Sequence, residues 1–416
     1  MKRVVITGLG AVTPIGNNIN AFWENLLNGV SGADKISRFD ASKFKTKFAC
    51  EIKDLDPLDF FDKKETRKLD NFSQYGLIAG EEAIKDADLN FDKLNLQRIG
   101  VIFSSGIGGF ETIEQETYKD YNNGSTRKYN PFFITKVIAN GISGLLSIKY
   151  GLRGINSCIV TACASSAQAV ILAFNYIKWG KADIILTGGS EAPITASSIG
   201  GFNSMRALST NNEGYKSASR PFDRQRDGFV IGEGAGALVV ESLDSAVKRG
   251  AYIYAEIIGG GETADAFHIA GPHPEGLGAY NAMNEALAEA GITIQDVNYI
   301  NAHATSTGLG DISEAKAIKN LFNSSLKNIK ISATKSATGH LLGATGAVEA
   351  IAACLSVDTN NIPPTINTNC IDENIPTDLD LTLGTKTSTE VNYALSNNFG
   401  FGGHCASLLM KKFSKN

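Results

Sequence analysis

Four segments from the first part of this chain return, in the same order, after residue 250. Arg3-Val4-Val5-Ile6-Thr7-Gly8-Leu9-Gly10 resembles Tyr254-Ala255-Glu256-Ile257-Ile258-Gly259-Gly260-Gly261, and Ile99 to Gly109 resembles Val297 to Gly308. The turn around Cys163 matches Ile329 to Gly346, and Ala182 to Gly189 matches Asn392 to Gly403. A repeat of this kind restricts the fold to two similar units with equivalent elements. Apolar runs that end in Gly-rich turns are the signature of buried strands in an α/β protein. The chain is therefore expected to divide near residue 251, into halves spanning 1–251 and 252–416, with its 43 glycines serving the tight turns. Setting equivalent strand ends side by side brings Cys163, His303, His340 and the Gly400 to Gly403 turn into one cleft.

With 416 residues, 43% of them hydrophobic, the chain can bury a large core. A formal net charge of −4 gives nucleic-acid binding no global electrostatic support. Six scattered cysteines without Cys-x-x-Cys spacing point to a reducing, cytoplasmic setting. The basic opening Met1-Lys2-Arg3 precedes an apolar stretch too short for a secretion signal, so it reads as the first buried strand. No run approaches about 18 unbroken apolar residues, and neither a membrane-spanning helix nor a membrane partner is expected.

The chemistry gathers at three turns. Cys163 lies in Thr161-Ala162-Cys163-Ala164-Ser165-Ser166-Ala167, between a strand and a helical pattern. The unpaired N–H groups of a helix start are expected to lower the thiol's pKa there. Taken alone, the residue is equally a small buried hydrophobe. His303 follows Tyr299-Ile300-Asn301-Ala302 and leads into a Thr/Ser/Gly turn; His340 sits in Lys335-Ser336-Ala337-Thr338-Gly339-His340, before a helix of small residues. Each histidine alone would also pass as a structural imidazole. A zinc site of Cys163, His303 and His340 is the competing chemistry, disfavoured because the close Cys or His pairs of structural zinc sites are missing. No metal is expected.

These motifs resemble the β-ketoacyl-acyl-carrier-protein synthases of the thiolase-like fold, specifically the synthase II type. The resemblance covers about residues 2 to 411. It rests on Val-Val-Ile-Thr-Gly-Leu-Gly at the start, the Thr-Ala-Cys turn, Arg220-Pro221-Phe222-Asp223, Arg226-Asp227-Gly228-Phe229, Gly232-Glu233-Gly234-Ala235-Gly236, Asn-Ala-His-Ala-Thr-Ser-Thr, Lys335 to His340, and Ser396 to Gly403. It implies an α/β fold of two duplicated halves in a layered αβαβα core. It also implies covalent catalysis. Cys163 accepts an acyl chain, malonyl carrier protein loses carbon dioxide, and the carbanion attacks the acyl-cysteine to give a 3-oxoacyl chain two carbons longer.

A thiolate suits the nucleophile's role because it both forms and surrenders a thioester readily. Neutral His303 and His340 would stabilise the malonyl enolate as N–H donors. The resemblance puts the acyl oxygen near the amides of Cys163 and Phe401, and makes Lys335 an ordering positive charge with Glu349 or Glu314 as counter-charge. For Lys335 a solvated place at a strand end fits the sequence equally well. Thr305 and Thr307 carry over as pantetheine-binding hydroxyls. Phe401 is expected to gate an acyl pocket lined by Ile107, Phe133 and Phe202, with Phe399 also on the substrate path. No cofactor is implied, because substrates ride on the phosphopantetheine of acyl carrier protein.

The acidic carrier needs a local basic patch. Lys64, Arg67 and Lys68, expected on one helical face, supply it, and Arg206 matches another family contact. A homodimer is implied, joined near the strand after the Cys163 helix, with Phe133 reaching the neighbour's acyl pocket. Departures from the family pattern at Ala304, Gly308, Ser166, His404-Cys405, Thr135-Lys136 and Gly141 leave the preferred chain length open. Three competing readings remain. A thiolase would lack a histidine at the position of His303, a non-catalytic partner subunit would lack Cys163, and a condensing enzyme of a polyene or polyketide pathway would share every motif.

Overall fold

The structure is a computed structural model and describes residues 1–414. Its centre is an eleven-stranded sheet. In chain order the strands are β1 (Val4–Val12), β2 (Ile99–Ser104), β3 (Asn156–Ser157), β4 (Ile184–Glu191), β5 (Gly234–Ser242), β6 (Ala255–Ala264), β7 (Tyr299–Asn301), β8 (Lys330–Ser332), β9 (Asp380–Leu381), β10 (Tyr393–Gly400) and β11 (His404–Lys412). Their spatial order is β9-β8-β7-β10-β11-β6-β1-β5-β4-β2-β3. Two wings meet where Val4, Val5 and Ile6 pair antiparallel with Ile257, Glu256 and Ala255. Outward from that seam lie β1, β5, β4, β2 and β3 on one side and β6, β11, β10, β7, β8 and β9 on the other.

Between the wings lie two helices, α1 (Ser165–Lys178) and α2 (Thr345–Thr359), and both touch strands of each wing. Their core includes Val170, Ile171 and Phe174 on α1, Ile351 and Leu355 on α2, and inward residues of both wings such as Ile6, Leu238 and Leu408. Alternation along a strand sends neighbours to opposite layers. In β11, Leu408 and Met410 face this central core while Leu409 joins the outer core with Met283, Leu287 and Ile318. On the other wing the outer layer is the helix Asn71–Asp86, whose Phe72, Tyr75, Ile78 and Ala79 recur at helical spacing and are buried. The result is the five-layered αβαβα arrangement. Burying each large apolar side chain contributes about 1.5–3 kcal/mol, so the central helices anchor the molecule.

Close approach of strand and outer helix explains two repeated glycines. A Cβ on Gly10 would stand 2.0 Å from the carbonyl oxygen of Ala79, and one on Gly261 would stand 1.9 Å from that of Ala282. A methyl group at either place would force sheet and helix apart. Leu342 to Thr359 is long and apolar enough to cross a membrane, yet 89% of that stretch is buried, because it forms the central helix and the turn before it.

One expectation about the sheet fails. The strand after the Cys163 helix, β4, is internal, paired with β2 over Ile184–Gly189 and with β5 over its whole length. The free edge on that wing is β3, Asn156–Ser157, which precedes the helix.

Candidate active site

Cys163 sits in a single 3-10 turn, Ala162–Ala164, that runs directly into α1. Ala162 holds a left-handed backbone (φ +50°), which turns the chain sharply before the helix. The turn ending β10 lies against it. A Cβ on Gly400 would come 2.6 Å from the carbonyl oxygen of Thr161 and 3.0 Å from the amide nitrogen of Cys163. Only glycine lets Phe401 reach the Cys163 turn this closely.

The expected acidification of the thiol is not found. Burial pushes Cys163 up to about 12, opposed by the Lys335 charge and by the backbone N–H groups of Phe401 and Cys163. Desolvation penalises the charged form, and here it outweighs the donors. The resting group is therefore a thiol.

His303 and His340 meet edge to face, with ring centroids 5.5 Å apart. His340 Nδ1 is 3.1 Å from the Thr345 hydroxyl, and its backbone N–H donates to the Val230 carbonyl at 2.8 Å. Phe229 packs edge-on against its ring at 5.3 Å. Behind His303, Glu314 accepts the His303 and Ala304 amides at 2.9 and 2.8 Å and the Asn397 side-chain amide at 3.2 Å. Phe399 flanks the His303 ring at 5.5 Å. Burial, joined by the Lys335 charge, holds both imidazoles well below 6.5. They are neutral near pH 7.

Lys335 is fully buried, not a solvated lysine at a strand end. Its Nζ donates to Glu349 at 2.7 and 2.8 Å, so Glu349 rather than Glu314 carries the counter-charge. Glu349 also accepts from Asn398 at 2.8 Å and Thr334 at 3.0 Å. Burial raises its carboxyl, and Lys335 pulls it back.

Cys163, His303, His340 and Phe401 line one cavity of about 640 Å³, together with Ile107, Phe202, Thr305, Thr307, Phe399 and Arg206. Phe202 stacks edge-on with Phe229 at 5.4 Å. The hydroxyls of Thr305 and Thr307 lie 3.1 Å apart. Phe133 does not join this wall: it is half-buried, with its ring 5.1 Å from Tyr129 on the segment before it. The basic cluster also differs from its expected form. The helix there is one turn, Lys63–Thr66, capped by Asp62, and Arg67 and Lys68 follow it. It stops because Leu69 and Asp70 turn inward, Asp70 to cap the next helix. Lys64, Arg67, Lys68 and Arg206 are all exposed.

Several supporting groups gave no signal that sequence reasoning used. Arg226 donates to the carbonyls of Thr307 and Gly308 at 3.0 and 2.8 Å and to Asp372 at 2.7 Å, and lies 3.4 Å from Asp311. Asp311 in turn accepts the amides of Ser306 and Phe222. This buried network holds the turn carrying Thr305 and Thr307. Arg226 falls inside the Arg226-Asp227-Gly228-Phe229 motif, so the motif was visible before its purpose. Asp265, whose amide donates to Gly403 at 2.8 Å, ties a second loop to the Phe401 turn, and Gly402 donates to Ile269 at 2.7 Å.

Family models described as the N-terminal and C-terminal domains of β-ketoacyl synthase match residues 1–246 and 254–369. The chain belongs to the β-ketoacyl synthase family. The family's members are condensing enzymes of the acyltransferase type. The 3-oxoacyl-(acyl-carrier-protein) synthase 2 of Staphylococcus aureus (strain COL) is 49% identical over 412 residues, which cover 99% of each chain. The protein of the same description from Synechocystis sp. is 45% identical over 412 residues, covering 99% of this chain and 98% of that one. Among solved structures, a β-ketoacyl synthase from Burkholderia phymatum superposes with a TM-score of 0.91 at 32% identity and full coverage of both chains. A type II polyketide ketosynthase, solved with its acyl-carrier protein and bound to a hexaketide, gives 0.92 at 33% identity, covering 99% of this chain and 100% of that one.

Proposed function

We propose that this chain is a 3-oxoacyl-acyl-carrier-protein synthase that extends fatty acyl chains by decarboxylative condensation on Cys163. The observation that carries the reading is one cavity holding a cysteine at a helix start and two neutral histidines backed by a buried lysine–glutamate pair. The Cys163 sulfur attacks the acyl thioester, the acyl–sulfur bond moves to the protein, and the carrier thiol leaves with the proton. The amides of Cys163 and Phe401 receive the charge on the acyl oxygen. Malonyl carrier protein then enters past Thr305 and Thr307. Its carboxylate leaves as carbon dioxide, and the enolate oxygen is held by N–H groups of His303 and His340. The enolate carbon attacks the acyl carbon, the carbon–sulfur bond to Cys163 breaks, and the sulfur regains a proton.

The role needs His340 protonated on Nε2, and with that tautomer the Thr345 hydroxyl, 3.1 Å from Nδ1, is the donor to the other ring nitrogen. Phe401 is the gate, with Gly402 (φ +90°) and Gly403 (φ +78°) allowing the turn to move. Exposed Lys64, Arg67, Lys68 and Arg206 receive the acidic carrier protein, and the reaction uses no cofactor beyond its phosphopantetheine. The greater identity to the synthase 2 relatives than to the polyketide ketosynthase, 49% against 33%, favours fatty acyl substrates over a specialised product.

Three further assignments belong to the same reading. The boundary between the halves falls near residue 251, in the gap between the two family matches. The active form is a homodimer: the free edge at β3 and exposed Phe132, Ile134 and Ile138 beside half-buried Phe133 support a partner on that wing. The six free cysteines, including exposed Cys370, support a reducing, cytoplasmic location. Incubation with acyl and malonyl carrier proteins tests the reading. The parent should release carbon dioxide and a 3-oxoacyl product two carbons longer, and Cys163→Ala should form no product. Equal product from both would refute it.

A further inference from the structure

The turns at Cys163 and Gly343 are built alike. Ala162 (φ +50°) and Leu342 (φ +47°) each precede the turn's middle residue in a left-handed backbone, and each turn opens a central helix. In the first turn that middle residue is Cys163. In the second it is Gly343, and the space before its amide is filled by the carboxylate of Glu191, the last residue of β4.

Glu191 is completely buried. One oxygen, Oε2, accepts the amides of Gly106 and Gly343 at 2.7 and 2.8 Å; the other, Oε1, accepts the Ile107 amide at 3.0 Å and the Ser105 hydroxyl at 2.8 Å. The fold makes room for this carboxylate at some cost in sequence freedom. A Cβ on Gly106 would lie 2.7 Å from Oε2, and one on Gly343 would lie 2.6 Å from the same atom. Two segments are therefore held by a single acid. Each carries a side chain lining the cavity beside Cys163: Ile107 from one, Leu342 from the other.

We propose that Glu191 is a positioning residue that sets the width of the acyl end of the cavity, and with it the acyl lengths accepted, by clamping the Ile107 loop to the Leu342–Gly343 turn. The inference rests on the condensing reading of this cavity. Both oxygens face at least one backbone N–H. In Glu191→Gln the new amide group must therefore face an N–H whichever way it turns, and one of the two segments loses its anchor. The wall at Ile107 then relaxes, while the histidines, fixed through Val230, Thr345 and Glu314, keep their places.

The test compares the full-length parent with Glu191→Gln and Ser105→Ala across acyl carrier proteins of graded chain length, alongside decarboxylation of malonyl carrier protein. Glu191→Gln should change the ratio of kcat/KM between the longest and shortest accepted chains by about tenfold, the scale on which a reshaped apolar pocket discriminates. Decarboxylation should stay within about threefold of the parent. Ser105→Ala removes one donor to Glu191 and the acceptor of the Gly108 amide, so it should shift the ratio in the same direction by a smaller factor, and it carries the test if the glutamine variant fails to fold. Chain-length profiles that overlay the parent's, or condensation and decarboxylation falling together, would overturn the proposal alone. A parent that condenses no acyl chain overturns the condensing reading and this proposal together.

Discussion

Replacing Lys335 with Met strands a buried carboxylate. The ammonium lies 2.7 and 2.8 Å from the two oxygens of Glu349, and the side chains are 1% and 2% exposed. Glu349 would keep two neutral donors, Asn398 and Thr334. Breaking a buried pair from one side costs about 3–5 kcal/mol, and the surviving donors put the expectation near 3 kcal/mol. The sign of the pH dependence follows. Burial already raises the Glu349 carboxyl and Lys335 opposes it, so losing the lysine raises it further. A carboxyl whose folded pKa exceeds its unfolded value stabilises the fold while protonated and loses that contribution as pH rises through the folded pKa. The penalty should therefore grow as pH rises above the ordinary carboxylate range. Urea unfolding followed by the fluorescence of Trp23 and Trp179 measures it, and Lys335→Met with Glu349→Leu should recover most of the loss. A second effect falls on the site. Lys335 helps to hold both histidines low, so without it decarboxylation should fail on acidification at a higher pH than in the parent. A cost under about 1 kcal/mol at pH 8, or a double variant as unstable as the single one, would refute this reasoning.

Other outcomes follow from the same geometry. His303→Ala or His340→Ala should slow carbon dioxide release by on the order of a hundredfold while Cys163 still acylates; intact decarboxylation with lost acylation would reverse the roles. In the parent, decarboxylation should be flat from about pH 7.5 to pH 6, because both imidazoles stay neutral; they contribute stability that declines as pH falls below their unfolded value of 6.5. Single-turnover acylation should rise with pH from about 7 to 9, since burial keeps the thiol protonated, and a plateau by pH 7 would show a resting thiolate instead. Ile107→Phe should shorten the longest acyl chain accepted, and Phe401→Ala should blur discrimination between chain lengths; profiles unchanged in both would remove the gate and wall assignments.

What the sequence made legible was what repeats or is local. The order of elements, the turns at Cys163, His303 and His340, and the α/β class all follow from short segments with glycines at fixed places, while the layered arrangement was implied by the resemblance. Gly10 and Gly261 show why: each is needed where strand meets helix, so the same letters recur in both halves. What stayed hidden depends on distant partners. For Lys335 the sequence left Glu349 and Glu314 both open as the counter-charge, and the choice is made by how the start of α2 packs against it. The helix start at Cys163 argued for an acidic thiol, but the desolvation that outweighs it comes from Ile194, Phe229 and Leu342, far along the chain. Phe133 depends on packing beyond its own segment, and the charged run at Lys63 was cut short by the burial of Leu69. Glu191 stood at the end of a repeated strand, where its glycine partners, Gly106 and Gly343, could be counted but not connected.

The central claim is that Cys163 carries the acyl chain, and peptide mapping after incubation with an acyl carrier protein tests it most directly. The account predicts a mass increase of one acyl group on the peptide containing Cys163, discharged when malonyl carrier protein is added and matched by an equal amount of carbon dioxide. An adduct on Cys50, Cys158, Cys354, Cys370 or Cys405 with Cys163 free, or product formed with no adduct at any cysteine, would contradict it.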